Sequence, residues 1–248
     1  MLKIILAIAQ RQWQVFTASN SLFFNMIFFP LIIFLIILFG IEKVLAVSFE
    51  TRFSLFLIPG LLCIFIIGRS SRVGLSILKD YKGTIKLLRT APISRGAIII
   101  GLILGELLIQ VITLLLFLFL IFIYYKMGSV LKLIIILLYL LIISVGFLAF
   151  YIVLIFMAGP KYGLTLNAFL NIGFYITSGA FYSLGKITLP FKFIVYANPL
   201  TYGVSALKYL FFGAQEINIL LSSAILISFS LIALLISVAL LNKKLLDP

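Results

Sequence analysis

The chain has 248 residues, 65% of them hydrophobic and only 10% charged, with a formal charge of +13. A soluble domain is about 45–50% apolar and about 25% charged, so no soluble core of this length could hide such a surface, and lipid must solvate most side chains. Nucleic-acid binding is disfavoured despite the charge, because no polar basic domain carries it and basic residues flanking spans account for it. In lipid the backbone must satisfy itself, as helices or as a closed barrel. The apolar runs are continuous rather than alternating, which excludes the barrel and predicts an all-α membrane protein. Histidine is absent, the 6 carboxylates are scattered, and Cys63 stands alone. Imidazole bases, most zinc sites and an intrachain disulfide are thereby excluded, and no catalytic residue, metal or cofactor site is expected. The N-terminus lacks a signal-peptide cleavage pattern.

Residues 2–18 open the chain with a helical pattern. Lys3, Ala7, Gln10, Gln14 and Thr17 share one stripe, with Leu2, Ile5, Ala9, Trp13 and Phe16 opposite. The pattern predicts an interfacial amphipathic helix over 1–20, the alternative being a plain extension of the first span. Six apolar segments follow, at 22–41, 55–78, 98–124, 131–157, 163–183 and 217–241. Each has about the 20 residues a span requires. Asn25 and Phe28 lie in the first. The second ends on Arg69 and Arg72, and the third carries Glu106. A charge in lipid costs at least about 2.5–3.5 kcal/mol, so pairing is expected. Depth along antiparallel neighbours predicts an Arg72–Glu106 bridge with Arg69 nearer a translocation path, or a purely structural pair. Gly101 and Gly105 form a small-residue pattern that admits close helix contact.

Between the second and third spans lies a basic segment, 79–97, with Gly83 and Pro92 bracketing a short amphipathic helix over 80–92. The fifth span presents Asn167 and Asn171 on one face, where amides meet protein or cavity rather than lipid. Phe28, Phe174 and Tyr175 belong to a set of aromatics that lines a greasy path or simply faces lipid. The segment 184–213 is apolar but interrupted by Gly185, Pro190 and Pro199. It reads as a re-entrant hairpin of two half-helices, near 190–196 and 200–212, or as an amphipathic surface loop. Six spans put both termini on one side. That side holds 12 of the 19 basic residues against 7, and 10 to 7 without Arg69 and Arg72, which places it in the cytoplasm. The 7 include Lys208. The whole chain, 1–248, forms one membrane domain.

Three stretches carry a family resemblance. Gly83-Thr84-Ile85, Leu88, Arg89 and Ala91-Pro92-Ile93-Ser94 resemble the coupling-helix region of ABC-2 type permeases. Asn198-Pro199-Leu200-Thr201-Tyr202-Gly203 resembles the family's N-P-L-T-Y stretch before the last span. Ser178-Gly179-Ala180-Phe181-Tyr182 is similar to the small-residue end of its fifth span. Lys86 and Ser205 stand where the family often carries acids, and the aromatic first span is similar to drug- and lipid-exporting members. The resemblance implies the membrane half of a prokaryotic exporter of a hydrophobic or amphipathic substrate. It implies a second permease copy, identical or paralogous, in the cytoplasmic membrane. A separate ATPase subunit would dock on the coupling helix and use the ATP. The sequence itself has no phosphate-binding loop. Two other readings stand beside it: a passive channel or assembly subunit, and a membrane-embedded lipid enzyme, against which the lack of clustered acids argues.

Overall fold

The computed structural model describes residues 2–18, 24, 28–36, 40, 53–79, 95–126 and 129–244. In chain order the helices are α1 (Leu2–Ala18), α2 (Phe29–Ile36), α3 (Phe53–Lys79), α4 (Arg95–Tyr125), α5 (Val130–Thr177), α6 (Leu189–Ala197), α7 (Pro199–Phe212) and α8 (Ile219–Lys244). Among the described residues four stretches are long and apolar enough to cross a membrane: Leu57–Leu75, Gly96–Tyr125, Val130–Gly159 and Ile219–Leu240. They match the predicted second, third, fourth and sixth segments. Of the predicted first, 22–41, the described part is chiefly α2.

The predicted fourth and fifth segments are the two limbs of α5. Gly159 breaks the helix at φ 66, ψ −177, a conformation that suits only glycine. The limbs then fold back on each other. Phe147 packs on Phe174 with ring centroids 5.3 Å apart, and Tyr151 donates to the Asn171 amide oxygen. Numbers rise on one limb as they fall on the other, so the limbs are antiparallel about residues 160–161. Pro160 follows the break at the start of the second limb, where its missing N–H costs nothing. The second limb ends at Thr177, short of the expected 183, because Gly179 turns the chain at φ 72. Ser178 accepts a hydrogen bond from the Ala180 N–H in that turn.

The amphipathic face of α1 is used against protein. Ile5, Ile8, Ala9 and Phe16 are buried, and the stripe opposite is exposed. Its seat on α4 is the glycine pair. A Cβ at Gly101 would meet Ile8 Cβ at 2.8 Å, and one at Gly105 would meet Gln12 Cβ at 2.8 Å and Ala9 Cα at 3.0 Å. Four residues along α4 thus correspond to four along α1, so α1 runs along α4 rather than across it.

Behind these lies the core. Ile58, Leu62, Ile66 and Ile67 of α3 cluster with Ile143, Phe147 and Tyr151 of α5 and with Leu200 and Leu207 of α7. At the head of α3 the backbone comes very close to the turn after α5, since a Cβ on Gly60 would lie 2.9 Å from Ala180 Cα.

Two short helices follow, at 189–197 and 199–212, close to the expected half-helices. Their prolines, Pro190 and Pro199, sit in the first turn, where the helix tolerates them. Asn198 caps α7 by accepting the Leu200 N–H at 2.8 Å, and Gly213 ends it in the left-handed conformation at φ 73.

Candidate functional site

Charge is buried at two places. At the first, Arg69 Nε of α3 donates to Glu106 Oε1 of α4, with side chains 0% and 5% exposed. The ring of Phe16, from the end of α1, stands 5.9 Å from the guanidinium carbon. Three helices therefore meet on one ion pair. Around it the polar atoms are incompletely satisfied: among the described residues, both terminal nitrogens of Arg69 and both amide atoms of Gln110, one turn beyond Glu106, find no hydrogen-bond partner. Such groups are the exception in buried positions.

This reverses the expected pairing: Glu106 takes Arg69, not Arg72. The reason is depth. Because α3 runs to Lys79 and α4 begins at Arg95, Arg69 lies 10 residues from its helix end and Glu106 lies 11 from its own. At about 1.5 Å per residue those depths agree within about 2 Å, whereas Arg72 is one turn too shallow. Arg72 is instead exposed and lines an apolar cavity with Ile33, Phe34, Phe65, Gly68 and Phe117.

The second place escaped the sequence reading, which counted Lys208 among loop charges. Lys208 is fully buried. Its ammonium donates to the Gly179 carbonyl at 2.8 Å, the Tyr182 carbonyl at 3.1 Å and Glu216 Oε2 at 3.1 Å. Glu216 Oε1 accepts the Leu184 N–H at 3.2 Å. Burial pulls the Lys208 pKa below the ordinary lysine value, opposed by the Glu216 carboxylate. A lysine inside the run 200–208, with an acid eight residues on, was the available signal. Taking Lys208 out of the loop charges widens the basic excess on the opposite side.

Of the predicted path residues, Asn171 and Tyr175 come together against α3. The Asn171 amide donates to Ser71 Oγ at 3.0 Å, and the Tyr175 hydroxyl lies 3.1 Å from where a Cβ of Gly68 would stand. Asn167, one turn away, is buried, and its carbonyl oxygen finds no partner among the described residues. Phe174 faces the other way, into an aromatic groove with Phe150, Tyr196, Tyr202 and Phe229. Phe28 is exposed and stacks on Phe24 at 4.9 Å, away from this group. Asn25 and the coupling residues Gly83, Thr84, Ile85, Leu88, Arg89 and Pro92 lie outside the described residues.

The hairpin residues form a tied elbow. Besides capping α7, Asn198 donates through Nδ2 to the Phe174 carbonyl at 3.1 Å and to Thr177 Oγ1 at 2.8 Å. The Thr201 hydroxyl donates to the Val195 carbonyl at 2.6 Å and Tyr202 to the Tyr196 carbonyl at 2.9 Å. Leu200 is fully buried. The stretch Asn198-Pro199-Leu200-Thr201-Tyr202 is thus one unit: cap, first-turn proline, core anchor and two hydroxyl ties. Ser205 accepts the Ile217 N–H at 3.0 Å.

Membrane-length helices bearing an internal ion pair and internal amides define a multi-pass membrane protein. The family model for the ABC-2 type transporter matches residues 4–212, and the chain belongs to that family as the permease subunit of an ABC transporter. No curated protein matches it.

Proposed function

We propose that the chain is the membrane half of an ATP-driven exporter that moves a hydrophobic or amphipathic substrate out across a prokaryotic cytoplasmic membrane. Six spans cross the bilayer, the described four joined by one through α2 and one through the second limb of α5. Both termini lie in the cytoplasm, and α6–α7 dip into the outer leaflet as a re-entrant hairpin. A separate ATPase subunit docks on 80–92 through Gly83, Thr84, Ile85, Leu88, Arg89 and Pro92. A second permease copy, identical or paralogous, completes the path.

The observation that supports this reading is α3. It runs as one helix over Phe53–Lys79, 27 residues or about 40 Å, with Pro59 inside it near the head. One end leads straight into the segment 80–92. The other carries Gly60, backbone to backbone with Ala180 beside the tied elbow. A rigid rod between an ATPase dock and the substrate exit is what force transmission requires. Arg69–Glu106 joins that rod to α4 midway.

Co-purification with an ABC-type ATPase subunit tests the reading. ATP hydrolysis and vesicle transport should both depend on the permease, and Arg89→Glu should abolish transport while the protein remains folded. Transport by the chain without any ATPase would establish a channel instead, and full activity of the Arg89→Glu complex would remove the coupling role.

A further inference from the structure

We propose that the cavity between α2, α3 and α4 binds a single-chain anionic amphiphile, with its head group on Arg72 and Tyr175 and its chain along α3. That this amphiphile is the exported cargo rests on the function proposed above; the binding does not.

Three observations carry the site. Leu61, Ile64, Phe65, Gly68 and Arg72 share one face of α3 and line the cavity together. They make a trough about 16 Å long at about 1.5 Å per residue, apolar throughout and ending on a cation. Phe117 closes it from α4, 5.3 Å from both Phe34 and Phe65 between ring centroids. Second, the cation is available. Glu106 is already matched by Arg69, and among the described residues Arg72 takes no hydrogen bond or ion pair. The Tyr175 hydroxyl likewise takes no hydrogen bond among the described residues, and it stands 3.1 Å from where a Cβ of Gly68, a cavity residue, would lie. A net positive charge beside lipid is costly, and an anionic head group relieves it. Third, the cavity is small, about 210 Å³. Pockets for drug-sized ligands span roughly 300–1,000 Å³, so the size suits one alkyl chain and not a ring system.

The test uses the full chain in nanodiscs of neutral lipid. The probe is a long-chain fatty acid with a photoactivatable diazirine in its tail; the matching long-chain alcohol is the neutral competitor. Labelling should saturate and fall on the 61–68 face of α3 or on Phe117, and the alcohol should compete poorly. Arg72→Gln should weaken binding by about tenfold or more, the size expected for loss of a charged hydrogen bond. Tyr175→Phe should weaken it less. Phe65→Trp, which narrows the trough without touching the charge, should weaken it as well. Unsaturable labelling, or wild-type affinity in both Arg72→Gln and Phe65→Trp, would overturn the site and leave Arg72 a side chain reaching for the interface. Adding the ATPase in proteoliposomes separates the two readings. Saturable binding without ATP-driven movement upholds the site and overturns export of the amphiphile. ATP-driven transport of other compounds by a chain that does not bind the probe overturns the site alone.

Discussion

Single residues in this protein are held by requirements that can be tested one at a time. Lys208 has no contact with solvent, and its ammonium joins the turn at 179–182 to the acid before α8. Removing one partner of a buried pair strands the other, at about 3–5 kcal/mol. Lys208→Met should therefore lower thermal stability in detergent steeply, and Lys208→Met with Glu216→Gln should recover a substantial part of the loss. If the double variant is no more stable than the single, the stranded charge is not the cost. Gly159 makes a cleaner case. Nothing lies within 4 Å of a Cβ added there, so space is free and only the positive φ objects. Gly159→Ala should cost about 1–3 kcal/mol through strain. Gly173, equally uncrowded but within the helical second limb, gives the contrast. Gly173→Ala should stabilise by about 0.5–1 kcal/mol, because glycine is the poorer helix former. Melting curves with the same sign for both would mean that φ does not set the behaviour at the reversal.

Between helices the governing quantity is closeness of approach. Gly105→Val would drive its side chain into Gln12 Cβ and the Ala9 backbone, and backbone cannot step aside. α1 should then detach, exposing Phe16 and the Arg69 guanidinium. Hydrogen exchange over 2–18 should rise sharply while exchange in α8, which packs chiefly on α5 and α7, stays unchanged. Equal protection of α1 in the variant would show that the glycine seam does not hold it. The seam also shows what a sequence can reveal at this scale. Gly101 and Gly105 announced a close contact, and the stripe on α1 announced an apolar face, but nothing linked the two. Proline and glycine marked both hairpin helices nearly to the residue, since those residues act on their own backbone. The ion pair was legible as a need and misassigned in detail. Its partner depended on where α3 ends and α4 begins, at Lys79 and Arg95. Arg69 and Arg72 also differ by about 60° around the helix, which separates a neighbour from a cavity. Lys208 was missed because its ammonium is met by two carbonyls and a carboxylate that tertiary folding gathers.

For the whole molecule the central matter is whether α3 moves as a rod. It is tied to α4 through Arg69–Glu106 and to the second limb of α5 through Ser71–Asn171, and it abuts Ala180 at its head. In the export reading, ATP-driven displacement at 80–92 must break or shift some of these ties. The Ser71–Asn171 contact is the natural one, because a neutral hydrogen bond contributes only about 0.5–1.5 kcal/mol net and the buried ion pair resists separation. A disulfide replacing that contact should therefore arrest the cycle. The experiment is favoured by the chain itself, whose one native cysteine, Cys63, is fully buried. Ser71→Cys with Asn171→Cys, oxidised in proteoliposomes with the ATPase, should bind both partners normally and transport nothing, and reduction should restore transport. Transport at an undiminished rate with the disulfide formed would mean that α3 and this limb travel together, and that the moving boundary lies instead at the α3–α4 face, across the ion pair.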